Sequence, residues 1–178
     1  MDAASGYWQV PMACNSIEKT AFICTEGLFE FLMMPFGLCN APATYQRMMQ
    51  NILKELLWRT CFVYLDDILV FGRTWEEHQN NLREVLRRLR ENGLLLKAPK
   101  CHFGITKTAF LGFVVSDGGI QPDPAKVEKL KTYPIPTNVT QVRAFIGLGS
   151  YYRRFIPGFA TIVAPLHELT TAKEWKWQ

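Results

Sequence analysis

The sequence predicts an α+β fold in which antiparallel strand pairs are backed by helices, followed by a small, helical and basic second part. Three observations carry this expectation. Short apolar segments bounded by turn residues recur through the first two thirds of the chain. Between them, two long stretches place apolar residues at helical spacing. From Pro122 onward the strand signals stop, and Pro122, Pro124, Pro134 and Pro136 punctuate short helical stretches. The boundary is placed near residue 118, giving segments 1–117 and 118–178. At 178 residues and 48% hydrophobic, the chain can bury one large core or two small ones and is too apolar to be disordered.

Residues 19–24 and 29–34 read as a strand pair, with Glu26-Gly27 as the turn. Pro35-Phe36-Gly37 breaks that pattern. Pro42 suits a first helical turn, where its missing N–H costs nothing. A helix is expected to follow from Ala43 to Trp58, with Tyr45, Met48, Met49, Ile52, Leu53 and Leu56 as its core stripe. Thr60 to Gly72 is apolar on both sides of Asp66-Asp67 and predicts a hairpin reversing at those two aspartates. Trp75 to Asn92 is an amphipathic helix with Leu82, Val85, Leu86 and Leu89 on one face, and Gly93 sits where a left-handed residue ends it. Residues 94–96 and 108–115 are expected as further strands, and Asp117-Gly118-Gly119 as a turn.

Charge and cysteine usage exclude several classes. Residues 1–60 hold 4 Lys+Arg against 5 Asp+Glu, residues 61–120 hold 8 against 7, and residues 121–178 hold 8 against 4. The positive excess therefore sits in the last third, as a solvated basic face or as a surface for a polyanion. No apolar run reaches the roughly 18 residues of a membrane span. The N-terminal residues resemble no signal peptide, so an intracellular site without membrane contact is expected. Five Cys without a CxxC pair predict reduced thiols. Adjacent Cys101 and His102 lack a second ligand pair at zinc spacing.

Asp66 and Asp67 carry the sharpest chemistry. Neighbours in an extended strand point to opposite faces, so two adjacent carboxylates converge only where the chain turns. Close carboxylates repel, and one keeps its proton unless a cation neutralises both. Lys and Arg are absent from Thr60 to Gly72. A hard divalent ion, Mg²⁺ or Mn²⁺, is the economical partner. The bland alternative is a solvent-exposed Asp-Asp turn, which Tyr64-Leu65 and Ile68-Leu69-Val70 on either side make a poor fit.

These residues resemble a known family. Tyr64-Leu65-Asp66-Asp67 resembles the YxDD signature of reverse transcriptases, and Asp2-Ala3-Ala4-Ser5-Gly6-Tyr7-Trp8-Gln9 resembles their first aspartate motif. Met34-Pro35-Phe36-Gly37-Leu38-Cys39-Asn40-Ala41-Pro42-Ala43-Thr44-Tyr45-Gln46 resembles the nucleotide-site motif of gypsy-type LTR retrotransposons. Lys100-Cys101-His102-Phe103 resembles the palm lysine motif, and Phe110-Leu111-Gly112 the primer grip. Phe145-Ile146-Gly147-Leu148 with Tyr151-Tyr152-Arg153-Arg154-Phe155-Ile156 resembles the helical segment beyond the palm in that group.

The resemblance implies a polymerase palm over residues 1–117 and a thumb or connection region over 118–178. It implies an RNA-directed DNA polymerase that joins dNTPs to a primer 3′-hydroxyl on an RNA or DNA template. Asp2, Asp66 and Asp67 match the aspartates that hold two Mg²⁺ ions, with Mn²⁺ as a substitute. Tyr7 matches the residue that blocks a ribose 2′-hydroxyl. Phe36 and Gly37 match the nucleotide pocket, and Lys100 a lysine near the pyrophosphate. Tyr64, Leu111 and Gly112 match residues beside the primer. Arg143, Gly147 and Tyr151, spaced by four, match a track along the minor groove of the primer–template.

The resemblance also implies a Pol polyprotein fragment that lacks fingers and RNase H, and a parent chain with RNase H and integrase domains. It implies a cytoplasmic, virus-like-particle location with a nuclear phase. Glu174-Trp175-Lys176-Trp177-Gln178 resembles the lead-in to RNase H. With almost no residues upstream to pair its strand, Asp2 is expected to be weakly held, and isolated activity to be weak. The alternatives are a catalytically inactive nucleic-acid-binding remnant and a purely structural module. Oligomeric state is open.

Overall fold

The structure is a computed structural model, and residues 1–171 are described; the expected RNase H lead-in at 174–178 lies outside them. The chain divides into two compact units, Met1–Ile105 and Thr106–Gln178. The boundary expected near 118 falls inside the second unit. There the strands from Lys107 to Pro122 are hydrogen-bonded into one sheet, so they group together rather than dividing at the Asp117 turn.

The first unit opens with irregular chain and short 3₁₀ turns. Strands β1 (Phe22–Cys24) and β2 (Gly27–Phe29) form a hairpin in the register Phe22↔Phe29. It is shorter than the expected 19–24 and 29–34 pair. Thr20 Oγ1 accepts the Phe31 N–H at 2.8 Å and draws the chain out of the ladder.

Helix α1 spans Ala41–Ile52, with Pro42 in its first turn. It stops short of the expected Trp58. The Leu56 carbonyl instead collects the N–H groups of Arg59, Thr60 and Cys61 at 3.3, 2.9 and 3.2 Å, and Trp58 adopts a left-handed φ of 67°. Hairpin β3 (Cys61–Tyr64) and β4 (Asp67–Val70) comes next, then helix α2 (Trp75–Glu91). Thr74 caps α2 by accepting the Glu77 N–H at 3.1 Å, and the Glu77 carboxylate reaches back to the Arg73 N–H at 2.8 Å. Residues 94–96 are not a regular strand; Leu96 makes a single bridge to Ala3.

The core of this unit joins α1, α2 and the β3–β4 hairpin. Tyr45, Met49, Leu53, Cys61, Ile68, Val85 and Leu89 are all buried there. Burial pushes the Cys61 thiol up to about 11, which keeps it protonated near neutrality.

The second unit holds a three-stranded antiparallel sheet of β5 (Lys107–Phe110), β6 (Phe113–Ser116) and β7 (Gly119–Pro122). The single strand expected over 108–115 is two strands, because the chain reverses at Leu111-Gly112, with φ 49° and 75°. Both central residues in left-handed backbone suit the right-handed twist of a tight hairpin. Helices α3 (Pro124–Lys131), α4 (Val139–Tyr151) and α5 (Phe159–Thr171) complete the unit. Asp123 and Asn138 cap α3 and α4 through the Ala125 and Gln141 N–H groups. Val142, Ile146, Tyr152 and Val163 are its buried apolar residues. Among the described residues no helix is long and apolar enough to cross a membrane.

Candidate active site

The β3–β4 hairpin places the aspartates. Its register, Val63↔Ile68 and Tyr64↔Asp67, leaves Leu65-Asp66 as the two-residue loop, one residue earlier than the expected reversal at Asp66-Asp67. Packing sets this register. Cys61, Val63, Ile68 and Val70 share the face toward the core, with Cys61 and Ile68 fully buried. A slip of one residue would turn that set to solvent. Tyr64 and Asp67 therefore share the opposite face, and both are exposed.

Residues 1–4 lie along the outer edge of β4. Asp2 bridges Asp67, the Ala3 N–H donates to the Asp66 carbonyl at 3.1 Å, and the Ile68 N–H donates to the Met1 carbonyl at 2.9 Å. On the other flank the Lys97 N–H donates to the Asp2 carbonyl at 2.9 Å, and the Ala4 N–H to the Leu95 carbonyl at 2.9 Å. Asp2 is thus tied on both sides, contrary to the expectation of a weak hold. A 3₁₀ turn at Ala98–Lys100 brings the Lys100 ammonium to 3.4 Å from Asp2 Oδ2.

Asp66 faces inward. Its Oδ1 is buried and has no hydrogen-bond partner, and neither does the hydroxyl of Tyr45. Gly6 makes room for both. A Cβ there would collide with Asp66 Oδ1 and come within 2.7 Å of the Tyr45 ring. Burial, then the charges of Asp2 and Asp67, hold the Asp66 carboxyl above the usual carboxylate range, and Lys100 partly offsets them. Burial first and Asp66 second also raise the hydroxyls of Tyr45 and Tyr7.

Among the described residues, no group of three or more His, Cys, Asp or Glu side chains is gathered tightly enough to hold a metal ion as it stands. The donor chemistry nevertheless fits a hard divalent cation. Three carboxylates surround one turn, the charges of Asp2 and Asp67 add to burial in raising the Asp66 carboxyl, and one buried oxygen lacks any partner.

Tyr7 lies between this centre and the surface. Its ring meets Tyr45 edge-on at 5.6 Å and Phe36 at 5.2 Å. Phe36 is 60% exposed and also packs on Trp8. Gly37 has φ 95°, and a Cβ there would meet nothing within 4 Å. Open space and a left-handed backbone both suit glycine at that position.

The remaining predicted residues belong to the second unit. The Tyr151 hydroxyl donates to the Leu111 carbonyl at 2.5 Å, and the Tyr152 hydroxyl to the Gly112 carbonyl at 3.3 Å. Tyr151 also stacks on Phe113 at 5.1 Å. Arg143 donates to the Thr170 carbonyl at 3.2 Å. Arg143, Gly147 and Tyr151 are all exposed on α4, and a Cβ on Gly147 would meet open space.

The family model for "Reverse transcriptase (RNA-dependent DNA polymerase)" matches residues 1–115. The chain belongs to the reverse transcriptase family. It is 48% identical over 166 residues to the retrovirus-related Pol polyprotein from transposon 297 of Drosophila melanogaster, covering 93% of this chain and 16% of that protein. It is 44% identical to the Pol polyprotein from transposon opus of the same organism, covering 96% of this chain and 17% of the relative. The chain thus spans about a sixth of the length of these relatives. Among solved structures, it resembles the foamy viral protease-reverse transcriptase in complex with double-stranded DNA, at a TM-score of 0.88 and 28% identity, covering 99% of this chain and 31% of that one. The same viral protein in complex with RNA/DNA hybrid matches at a TM-score of 0.80, covering 99% and 24%.

Three residues of this reverse transcriptase chain were not legible as site residues. Tyr45 reads as one more member of an apolar stripe, yet its hydroxyl lies beside Asp66. Gly6 carries no role of its own within the first aspartate motif, yet it is the space those two groups occupy. Gln9 staples the Asp2 strand to residue 95: its side chain donates to the Ala4 and Leu95 carbonyls at 2.6 and 3.0 Å and accepts the Leu95 N–H at 2.7 Å. Only Tyr45 left a signal in the sequence, since a hydroxyl in a core stripe needs a polar neighbour.

Proposed function

We propose that this chain carries the palm of an RNA-directed DNA polymerase and transfers deoxynucleotides onto a primer 3′-hydroxyl. The observation that carries this reading is the pairing of Asp2 with Asp67 beside the buried, unpartnered Oδ1 of Asp66. Asp2, Asp66 and Asp67 would hold two divalent ions, Mg²⁺ or Mn²⁺. When bound, such ions lower the pKa of the primer hydroxyl and neutralise the leaving pyrophosphate. The chain's own residues position and select. Tyr7, braced by Tyr45 and Phe36, would exclude a ribose 2′-hydroxyl with its ring. Exposed Phe36 and unobstructed Gly37 offer a flat and closely approachable wall to the nucleotide. Lys100 balances Asp2 and stands ready for phosphate charge.

The duplex contacts are assigned to the Leu111-Gly112 turn, to Tyr64, and to the exposed Arg143, Gly147 and Tyr151 face. That the foamy viral proteins it resembles are in complex with double-stranded DNA and with RNA/DNA hybrid supports a duplex as the partner. The palm would extend to residue 117 and the thumb region from 118. RNase H and integrase would be supplied by a longer Pol polyprotein, as the length of the relatives suggests.

Primer extension on a poly(rA)·oligo(dT) template with Mg²⁺ or Mn²⁺ tests the reading. Asp66→Asn, which keeps the shape and removes a ligand charge, should reduce extension to background. Unchanged turnover in that variant would overturn the metal assignment. The second reading is nucleic-acid binding without catalysis, favoured by the open α4 face. It predicts RNA/DNA-hybrid binding that weakens steeply with salt and ignores Asp66→Asn.

A further inference from the structure

Leu65, the residue before Asp66, stands in left-handed backbone at φ 51°. A leucine there crowds its own Cβ against the following carbonyl, which is unfavourable without outside support. The support comes from α1. Gln46 Oε1 accepts the Leu65 N–H at 2.7 Å, and Gln46 Nε2 donates to the Val63 carbonyl at 3.2 Å.

These two backbone groups lie on the edge of β3 that faces away from β4. The hairpin therefore has two outer edges, each satisfied differently. Residues 1–3 line the edge of β4, and a single carboxamide lines the edge of β3. A carboxamide carries the donor and the acceptor that this edge requires on two separate atoms, so one side chain satisfies both backbone groups. The helix behind it is fixed, since Tyr45 and Met49 are buried in the core. The next residue along, Asp66, is the one whose carbonyl receives the Ala3 N–H.

We propose that Gln46 is a positioning residue whose carboxamide acts as a one-residue strand, holding Leu65 in left-handed geometry and thereby setting where the Asp66 carboxylate stands. Its effect on catalysis rests on the polymerase reading; its effect on the turn does not.

The test is backbone NMR on the ¹⁵N,¹³C-labelled chain without metal, comparing wild type with Gln46→Leu, Gln46→Asn and Gln46→Glu. Gln46→Leu removes both contacts. The Leu65 amide should then exchange about tenfold faster, as expected for the loss of one partly buried hydrogen bond. The Leu65 carbon shifts should also leave the left-handed pattern, while the Val85 and Leu89 amides in α2 stay protected. Gln46→Asn, too short to reach, should behave alike, and it decides the matter if the leucine variant does not fold. Gln46→Glu keeps the acceptor and should restore Leu65 protection. Unchanged Leu65 exchange and shifts in both Gln46→Leu and Gln46→Asn would overturn the proposal. A parallel Mn²⁺ titration separates the two readings: a wild-type chain that binds no Mn²⁺ refutes the polymerase reading, and the Leu65 result still decides the role of Gln46.

Discussion

The β3–β4 turn and the β5–β6 turn both put a leucine in left-handed backbone, Leu65 at φ 51° and Leu111 at φ 49°. They differ at the second loop position. After Leu111 comes Gly112 at φ 75°, so both central residues are left-handed, the combination that a tight hairpin prefers. After Leu65 comes Asp66, which is not left-handed, and the pattern is one that ordinarily asks for glycine at the first position. The supports differ accordingly. Tyrosine hydroxyls hold the Leu111-Gly112 turn by its carbonyls. A glutamine amide holds the Leu65-Asp66 turn by an N–H and a carbonyl on one strand edge. The relaxed turn presents backbone, whereas the strained one presents a carboxylate. Strain at a single residue is tolerated where its neighbour must be aimed.

The comparison can be broken most forcefully behind Asp66. Gly6→Ala drives a Cβ into Asp66 Oδ1 and the Tyr45 ring. Overpacking of this kind costs about 1–3 kcal/mol, a fall of roughly 2–10 °C in Tm by calorimetry. A Tm within a degree of wild type would mean that the strained turn yields easily. At the relaxed turn, Tyr151→Phe removes the bond to the Leu111 carbonyl and keeps the stack on Phe113. It should cost about 0.5–1 kcal/mol, read by urea denaturation, because the hydroxyl is exposed and water replaces it.

The smallest expected effect concerns pH. Burial and the neighbouring Asp2 and Asp67 raise the Asp66 carboxyl in the folded chain. The folded chain then binds more protons than the unfolded one as pH rises through the carboxylate range, so Asp66 lowers stability as pH increases. In EDTA at pH 7, Asp66→Asn should therefore melt slightly above wild type. The gain should shrink on acidification and vanish below about pH 4, where both states hold the proton. A gain that grows on acidification would contradict the raised carboxyl.

Much of the aspartate hairpin was legible in the sequence, because its information is local. An apolar run flanking two acids announces a reversal, and the amphipathic stretch over 75–92 announces α2. The precise loop was not, since it depends on which alternate residues meet a core formed by distant helices. The Leu111-Gly112 reversal hid inside the apolar run 108–115, where the single glycine was the only sign. Residues 94–96 read as extended, but nothing in the sequence names the partners of this stretch and Lys97, which are Asp2, Ala3 and Ala4 at the other end of the unit. The division into compact units at Ile105/Thr106 has no mark in the sequence either: a sheet collects strands across a turn that looks, residue by residue, like punctuation.

Gln9 and Leu95 meet across a separation of 86 residues, and Asp2, Asp66 and Lys97 are joined over comparable spans. During synthesis the first aspartate leaves the ribosome long before the segment that clasps it. The acidic centre is thus complete only after the segment around residue 95 has closed onto it, a long-range contact that costs loop-closure entropy. A nascent chain interrupted before residue 95 would carry every carboxylate of the centre and still lack half of its framework.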